Sequence, residues 1–124
     1  MYTFHKEERL CNKKFLTDLF HNGSSLILYP FRIVWLTKAL STPAQVVINV
    51  PKRNFKRAVD RNLLKRRMRE IYRLHKSEFL YSFLEYKSIL LGITYVGKEI
   101  SEYHYMEKKM LSAFEKLKNS YLAS

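Results

Sequence analysis

Between Lys52 and Lys76 the chain places eleven basic residues against only two acids, Asp60 and Glu70. The eleven are Lys52, Arg53, Lys56, Arg57, Arg61, Lys65, Arg66, Arg67, Arg69, Arg73 and Lys76. Such a cluster is unsuited to acid–base work, because guanidinium groups stay protonated. It suits neutralisation of a polyanion, and phosphate matches the arginine fork. Wound as a helix from Ala58, Arg61, Asn62, Lys65, Arg66, Arg69, Arg73 and Lys76 fall within an arc of about 140°. Val59, Leu63, Leu64, Met68, Ile71 and Leu74 take most of the opposite side. Arg67 points into the apolar side and is expected to snorkel or to pair with Glu70 or Glu78. A solvated helix face is the plain alternative. Solvated faces mix signs, however, whereas Arg61, Lys65, Arg69 and Arg73 repel one another at four-residue spacing. An external polyanion relieves that repulsion.

The other chemistry-bearing residues are dispersed. His5, His21, His75 and His104 lack metal-ligand spacing with acids or with Cys11. His75, near the end of the basic helix, reads as a capping or surface residue. No phosphate-cradling glycine loop and no serine or cysteine nucleophile motif occurs. The sequence therefore assigns no catalytic residue and no metal ligand to the protein itself. The lone Cys11 has no internal disulfide partner, which suggests a reducing compartment. Charges occupy residues 6–9, where a signal peptide would be apolar. The longest mostly apolar run, Ile89 to Val96, is far below the ~20 residues of a membrane span. A cytoplasmic location away from membranes is expected.

The elements that must carry these residues follow from pattern. With 124 residues, 47% of them apolar, the chain suits one domain, residues 1–124, with a modest core. Its net charge is +12, of which +9 lies in the 52–76 segment, a balance typical of polyanion binders. Asn12 is placed to cap a helix ending near Asn22, with Leu16, Leu19 and Phe20 facing inward and Gly23 stopping it. Phe31–Leu36 alternates as a strand, with Phe31, Ile33 and Trp35 on one face and Arg32, Val34 and Leu36 on the other. A turn at 41–44 leads to a second strand, Gln45–Val50, expected as the hairpin partner of the first. The basic helix runs from about Arg57 to Ser77. Ile89–Val96 is apolar on both faces and is expected as a buried central strand. A last helix, about Glu102 to Tyr121, buries Met106, Met110, Phe114, Leu117 and Tyr121. The order α-β-β-α-β-α predicts an α+β sandwich of helices on a central sheet.

The segment Lys56–Glu70 closely resembles the signature of the bacterial ribonuclease P protein component. Its Ala-Val-x-Arg-Asn element is Ala58-Val59-Asp60-Arg61-Asn62 here, followed by Lys65-Arg66 and Arg69-Glu70. Arg9-Leu10, Phe20-x-x-Gly23, Phe31 and Val50-x-Lys52 match in order, so the likeness spans nearly the whole chain. Two positions depart from the pattern. Leu63 stands where the family has a basic residue, and the stretch Lys52–Arg57 is one residue longer and lacks the usual glycine.

The resemblance implies a left-handed βαβ crossover, where general rules favour the right hand. It also implies a protein subunit that joins a catalytic RNA, ribonuclease P RNA, to cleave the 5′ leader from precursor tRNA. Magnesium ions held mainly by the RNA would carry the hydrolysis, with water as nucleophile. The surface expected to meet the RNA comprises Lys52, Arg53, Lys56, Arg57, Arg61, Asn62, Lys65, Arg66, Arg69 and Arg73. Replacing Arg61 by Ala is expected to weaken assembly and leave the fold intact. The family's leader-binding cleft lies between the sheet and the first helix. Its expected residues here are Phe15, Phe20, Phe31 and Trp35 for base stacking, with Lys14 and Arg32 meeting the backbone. Core packing is the competing role for each aromatic. A non-catalytic RNA-binding or ribosomal protein is the alternative function, and a membrane-surface helix a more distant one.

Overall fold

The alternation in β2 (Phe31–Thr37) divides the molecule into two layers. Phe31, Ile33 and Trp35 enter the larger core on one face of the sheet, while Val34 and Leu36 enter a smaller one on the other. The computed structural model describes residues 4–85 and 87–123. Its sheet has four strands in the order β1-β2-β4-β3, with β1 Ser24–Leu28, β3 Ala44–Asn49 and β4 Ile89–Tyr95. β2 is antiparallel to both β1 and β4, and β3 runs parallel to β4. Parallel neighbours need a long crossover, and here it is α2 (Ala58–Lys76), the basic helix.

Two expectations are corrected. The hairpin partner of β2 is β1, a strand absent from the sequence reading, so three strands and not two lie between the first helix and the basic helix. The strand after the turn, β3, does not touch β2, because β4 lies between them; Val34 and Val47 both register with Gly92. The physical reason lies in β4, where every residue except Thr94 is buried. Placing such a strand at a sheet edge would leave apolar area in water at roughly 25 cal/mol per Å², so it takes the centre and separates the shorter-connected pair.

α2 and α4 (Tyr103–Ala123) cover the Phe31 face, contributing Leu64, Met68, Ile71, Met106, Met110 and Phe114 among others. α1 (Lys13–Asn22) covers the opposite face through Leu19, packed with Leu10, Val34 and Leu90. The Asn12 side chain caps α1 by accepting from the Phe15 amide at 3.1 Å. Gly23 then lets the chain turn directly into β1. A Cβ there would sit 2.4 Å from the Leu19 carbonyl oxygen and 2.9 Å from that of Trp35. Phe20, expected to face inward, is instead 51% exposed.

Beyond Lys76 the helix continues as a π-helical turn, Ser77–Tyr81, and a short α3, Ser82–Leu84. The N-terminal segment is pinned to this junction. Glu8, in a single 3-10 turn, accepts from the Lys76 ammonium, from the Tyr81 hydroxyl at 2.9 Å and from the His5 amide at 3.0 Å. Glu8 is 7% and Lys76 3% exposed, so Lys76 leaves the cationic arc predicted for it and serves as a buried counter-ion. Burial pushes the Glu8 carboxyl up, but the hydrogen bonds from Lys76, His5 and Tyr81 and the Lys76 charge outweigh it and hold the carboxyl below its ordinary value. Replacing Glu8 with Gln strands the Lys76 charge and should cost about 3–5 kcal/mol at neutral pH, read by chemical denaturation. Because folding depresses this carboxyl, its contribution is present above the ordinary value of 4.5 and is lost as pH falls through the folded value. The gap between wild type and Glu8→Gln should therefore narrow on acidification.

Candidate nucleic-acid interface

The cationic surface is built by a loop and a helix held from behind. In the loop before α2, Val50 and Phe55 are buried, with Phe55 against the Tyr95 ring at a centroid distance of 5.9 Å. These two apolar pins leave Lys52, Arg53, Lys56 and Arg57 exposed. Along α2, the buried Leu64, Met68, Ile71 and Tyr72 fix the helix rotation, which leaves Asn62, Arg66 and Arg69 exposed and Lys65 half-buried. Among the described residues no carboxylate forms an ion pair with Lys65, Arg66 or Arg69.

Several cations of the segment are committed internally. Arg61 Nη1 donates to the Phe55 carbonyl at 2.7 Å and to that of Lys56 at 2.9 Å, tying the basic loop to the first turn of α2. Arg73 makes a two-pronged contact with Glu70, at 3.0 Å through Nε and 2.7 Å through Nη2. Those hydrogen bonds hold the Glu70 carboxyl below its ordinary range. Arg67 pairs with neither Glu70 nor Glu78; its Nη1 donates to the Ser101 carbonyl at 2.6 Å. The same loop is gripped from β4, where the Tyr95 hydroxyl donates to the Glu99 carbonyl at 2.6 Å. His75 does not act as a cap. Its Nε2 lies 2.8 Å from Glu107 on α4.

The second surface lies on the α1 side of the sheet. Phe20 lies over Gly92, with ring carbon Cζ 3.4 Å from where a Cβ would stand. The next row of the sheet on this face is Ile27, Arg32, Thr94 and Asn49, in register across all four strands. Ile27 is 60% exposed, Arg32 and Asn49 are exposed, and Thr94 is half-buried. Phe20 and this row form an open shelf with an aromatic wall, a cation and hydrogen-bonding groups. Lys14 is exposed on α1. Phe15 is half-buried, and the Lys38 ammonium sits 4.8 Å from its ring centroid.

Phe31 and Trp35 do not join this shelf. Both point to the opposite face of the sheet and are buried there, Phe31 edge-on to Tyr95 at 5.8 Å. The strand alternation that exposes Arg32 turns its odd-numbered neighbours away, so their assignment to the same cleft as Arg32 is corrected. Asn49, Thr94 and Ile27 went unnoticed in the sequence because only strand register brings them beside Arg32.

Arg61 therefore has a structural duty as well as a charge. Arg61→Ala should lower the unfolding free energy by about 1–3 kcal/mol through its two lost carbonyl bonds. Arg66→Ala, at an exposed site, should stay within about 0.5 kcal/mol of wild type. Urea denaturation of the two variants separates these outcomes.

The family model for ribonuclease P matches residues 4–118. The ribonuclease P protein component of Porphyromonas gingivalis is 31% identical over 109 residues, covering 85% of this chain and 79% of that protein. That of Citrifermentans bemidjiense is 30% identical over 119 residues, or 95% of each chain. The fold is similar to that of the ribonuclease P protein from Thermotoga maritima, with a TM-score of 0.72 at 23% identity, covering 88% of this chain and 96% of that one. With its cationic α2, its α1 shelf and a family match over nearly its full length, the chain belongs to the family of ribonuclease P protein components.

Proposed function

We propose that the chain binds ribonuclease P RNA through the exposed cations of α2 and its preceding loop, and the single-stranded 5′ leader of precursor tRNA through the α1 shelf. The observation that carries this reading is the family match over residues 4–118; that no carboxylate among the described residues pairs with Lys65, Arg66 or Arg69 supports the first surface. Lys65, Arg66 and Arg69 contact phosphates of the catalytic RNA, together with Lys52, Arg53, Lys56 and Arg57. Each phosphate contact releases counterions and steepens the salt dependence of binding by roughly 0.7–0.9 of a logarithmic unit. Asn62 both donates and accepts, and so orients a backbone group beside them. On the shelf, a leader base stacks on Phe20, an interaction worth about 1–3 kcal/mol by truncation, while Arg32 and Lys14 meet the leader backbone.

Magnesium ions held mainly by the RNA would supply the hydrolysis of the phosphodiester bond. Among the described residues no three His, Cys, Asp or Glu side chains converge on a point that suits a metal. The protein's contribution is binding and charge neutralisation, which raise substrate affinity and lower the magnesium needed for cleavage. Among the described residues no helix is long and apolar enough to cross a membrane, and α2 commits its apolar side to the core.

The test is cleavage of a labelled precursor tRNA by a bacterial ribonuclease P RNA at low magnesium, with and without the chain. Mature-length product that depends on the chain is the expected result. Tight RNA binding without stimulation would favour a general RNA-binding role. Phe20→Ala should weaken precursor binding by about 5- to 150-fold, from the 1–3 kcal/mol of one stacked base, and leave mature tRNA binding unchanged, measured by equilibrium binding to the assembled particle.

A further inference from the structure

Arg69 lines a small groove of about 160 Å³ that it shares with Arg9, Phe4, Val46 and Ile48. The two arginines arrive from segments sixty residues apart, one from the N-terminal segment and one from α2, and both are exposed. Among the described residues neither forms an ion pair, and no carboxylate lines the groove. Arg9 is held in place from several directions. Its backbone bridges Val46 at the free edge of β3, and the next amide, Leu10, donates to the Val46 carbonyl at 2.9 Å. Its guanidinium lies over the Phe4 ring, 5.2 Å from the centroid, which leaves the N–H edge available. Its chain neighbour Glu8 is clamped by Lys76 and Tyr81.

Two guanidinium groups that share one groove, with no carboxylate beside them, repel each other unless an anion lies between them. Planar forks of this kind bind phosphate oxygens through paired hydrogen bonds. We propose that Arg9 and Arg69 together clamp one backbone phosphate of the RNA partner. The RNA-binding surface then does not end on α2 but wraps over the β3 edge onto the N-terminal segment. This proposal rests on the RNA-binding reading above.

The experiment measures binding of the full chain to ribonuclease P RNA over a salt series, for wild type, Arg9→Gln, Arg69→Gln, the double variant and Arg9→Lys. Each glutamine variant should lose about 5- to 30-fold in affinity and flatten the salt slope by roughly 0.7–0.9 of a unit, one phosphate contact. The double variant should lose clearly less than the product of the two single losses, since the arginines share one phosphate. Arg9→Lys keeps the charge and the position over Phe4 but not the fork, so it should hold the slope while losing part of the affinity. Unfolding midpoints of all variants confirm that losses are not failures to fold. Wild-type affinity and slope for Arg9→Gln would overturn the clamp alone, as would losses that multiply. A wild-type chain that does not bind the RNA would overturn the clamp and the RNA-binding reading together.

Discussion

A strand that is apolar on both faces must be covered twice, and β4 imposes that requirement on the whole chain. One cover is α1, reaching Leu90 through Leu19, and the other is the α2–α4 layer over Ile89, Leu91, Ile93 and Tyr95. Since β3 and β4 are parallel neighbours, the connection between them has to cross the sheet, and the crossing element is the basic helix. The apolar side of α2 is thereby fixed against the core, and its charge faces away. The same demand sets α1 on the opposite face, where it covers the row of Val34, Gly92 and Val47 and leaves the row of Ile27, Arg32, Thr94 and Asn49 uncovered. Two surfaces on opposite sides of one sheet thus follow from the burial of a single strand.

The charge of the 52–76 segment divides into two classes once the structure is considered. Lys76 neutralises Glu8 in the interior, Arg73 binds Glu70, and Arg61 and Arg67 hold loop carbonyls. These contacts stiffen the platform: one joins the N-terminal segment to the end of α2, one ties the basic loop to its start, and one fastens the loop before α4. Lys65, Arg66 and Arg69, with the loop cations, form the second class and lack a counter-ion among the described residues. Like charges along one helix face cost stability in the free protein, a cost that a polyanionic partner would reverse.

Much of this arrangement was legible in the sequence, for physical reasons that can be named. The two-sided apolarity of Ile89–Val96 marks the central strand, and the 3.6-residue spacing of Leu64, Met68 and Ile71 orients the basic helix. The Asn12 cap and the Gly23 exit bounded α1. Other features depend on partners far apart in the chain. β1 carries two serines and only Leu26 and Leu28 in the core, too weak a pattern to stand out until it pairs with β2. Nothing local to Lys76 marks it as buried, because its partner Glu8 lies 68 positions earlier. The placement of Phe31 and Trp35 is a different case. Period-two alternation already set them opposite Arg32, and reading each aromatic as a stacking platform overrode that geometric rule.

Under the proposed function, two surfaces of one small protein address two different RNAs. Affinity cleavage from single labelled sites tests it most directly. In a Cys11→Ser background, a hydroxyl-radical probe is attached at His21→Cys, at the exposed end of α1, or at Ala58→Cys, at the exposed start of α2. In the complex of chain, ribonuclease P RNA and precursor tRNA, the probe at position 21 should cut the 5′ leader, and the probe at position 58 should cut the catalytic RNA. Cuts by both probes in the same RNA segment, or none in the leader from position 21, would contradict the two-surface account.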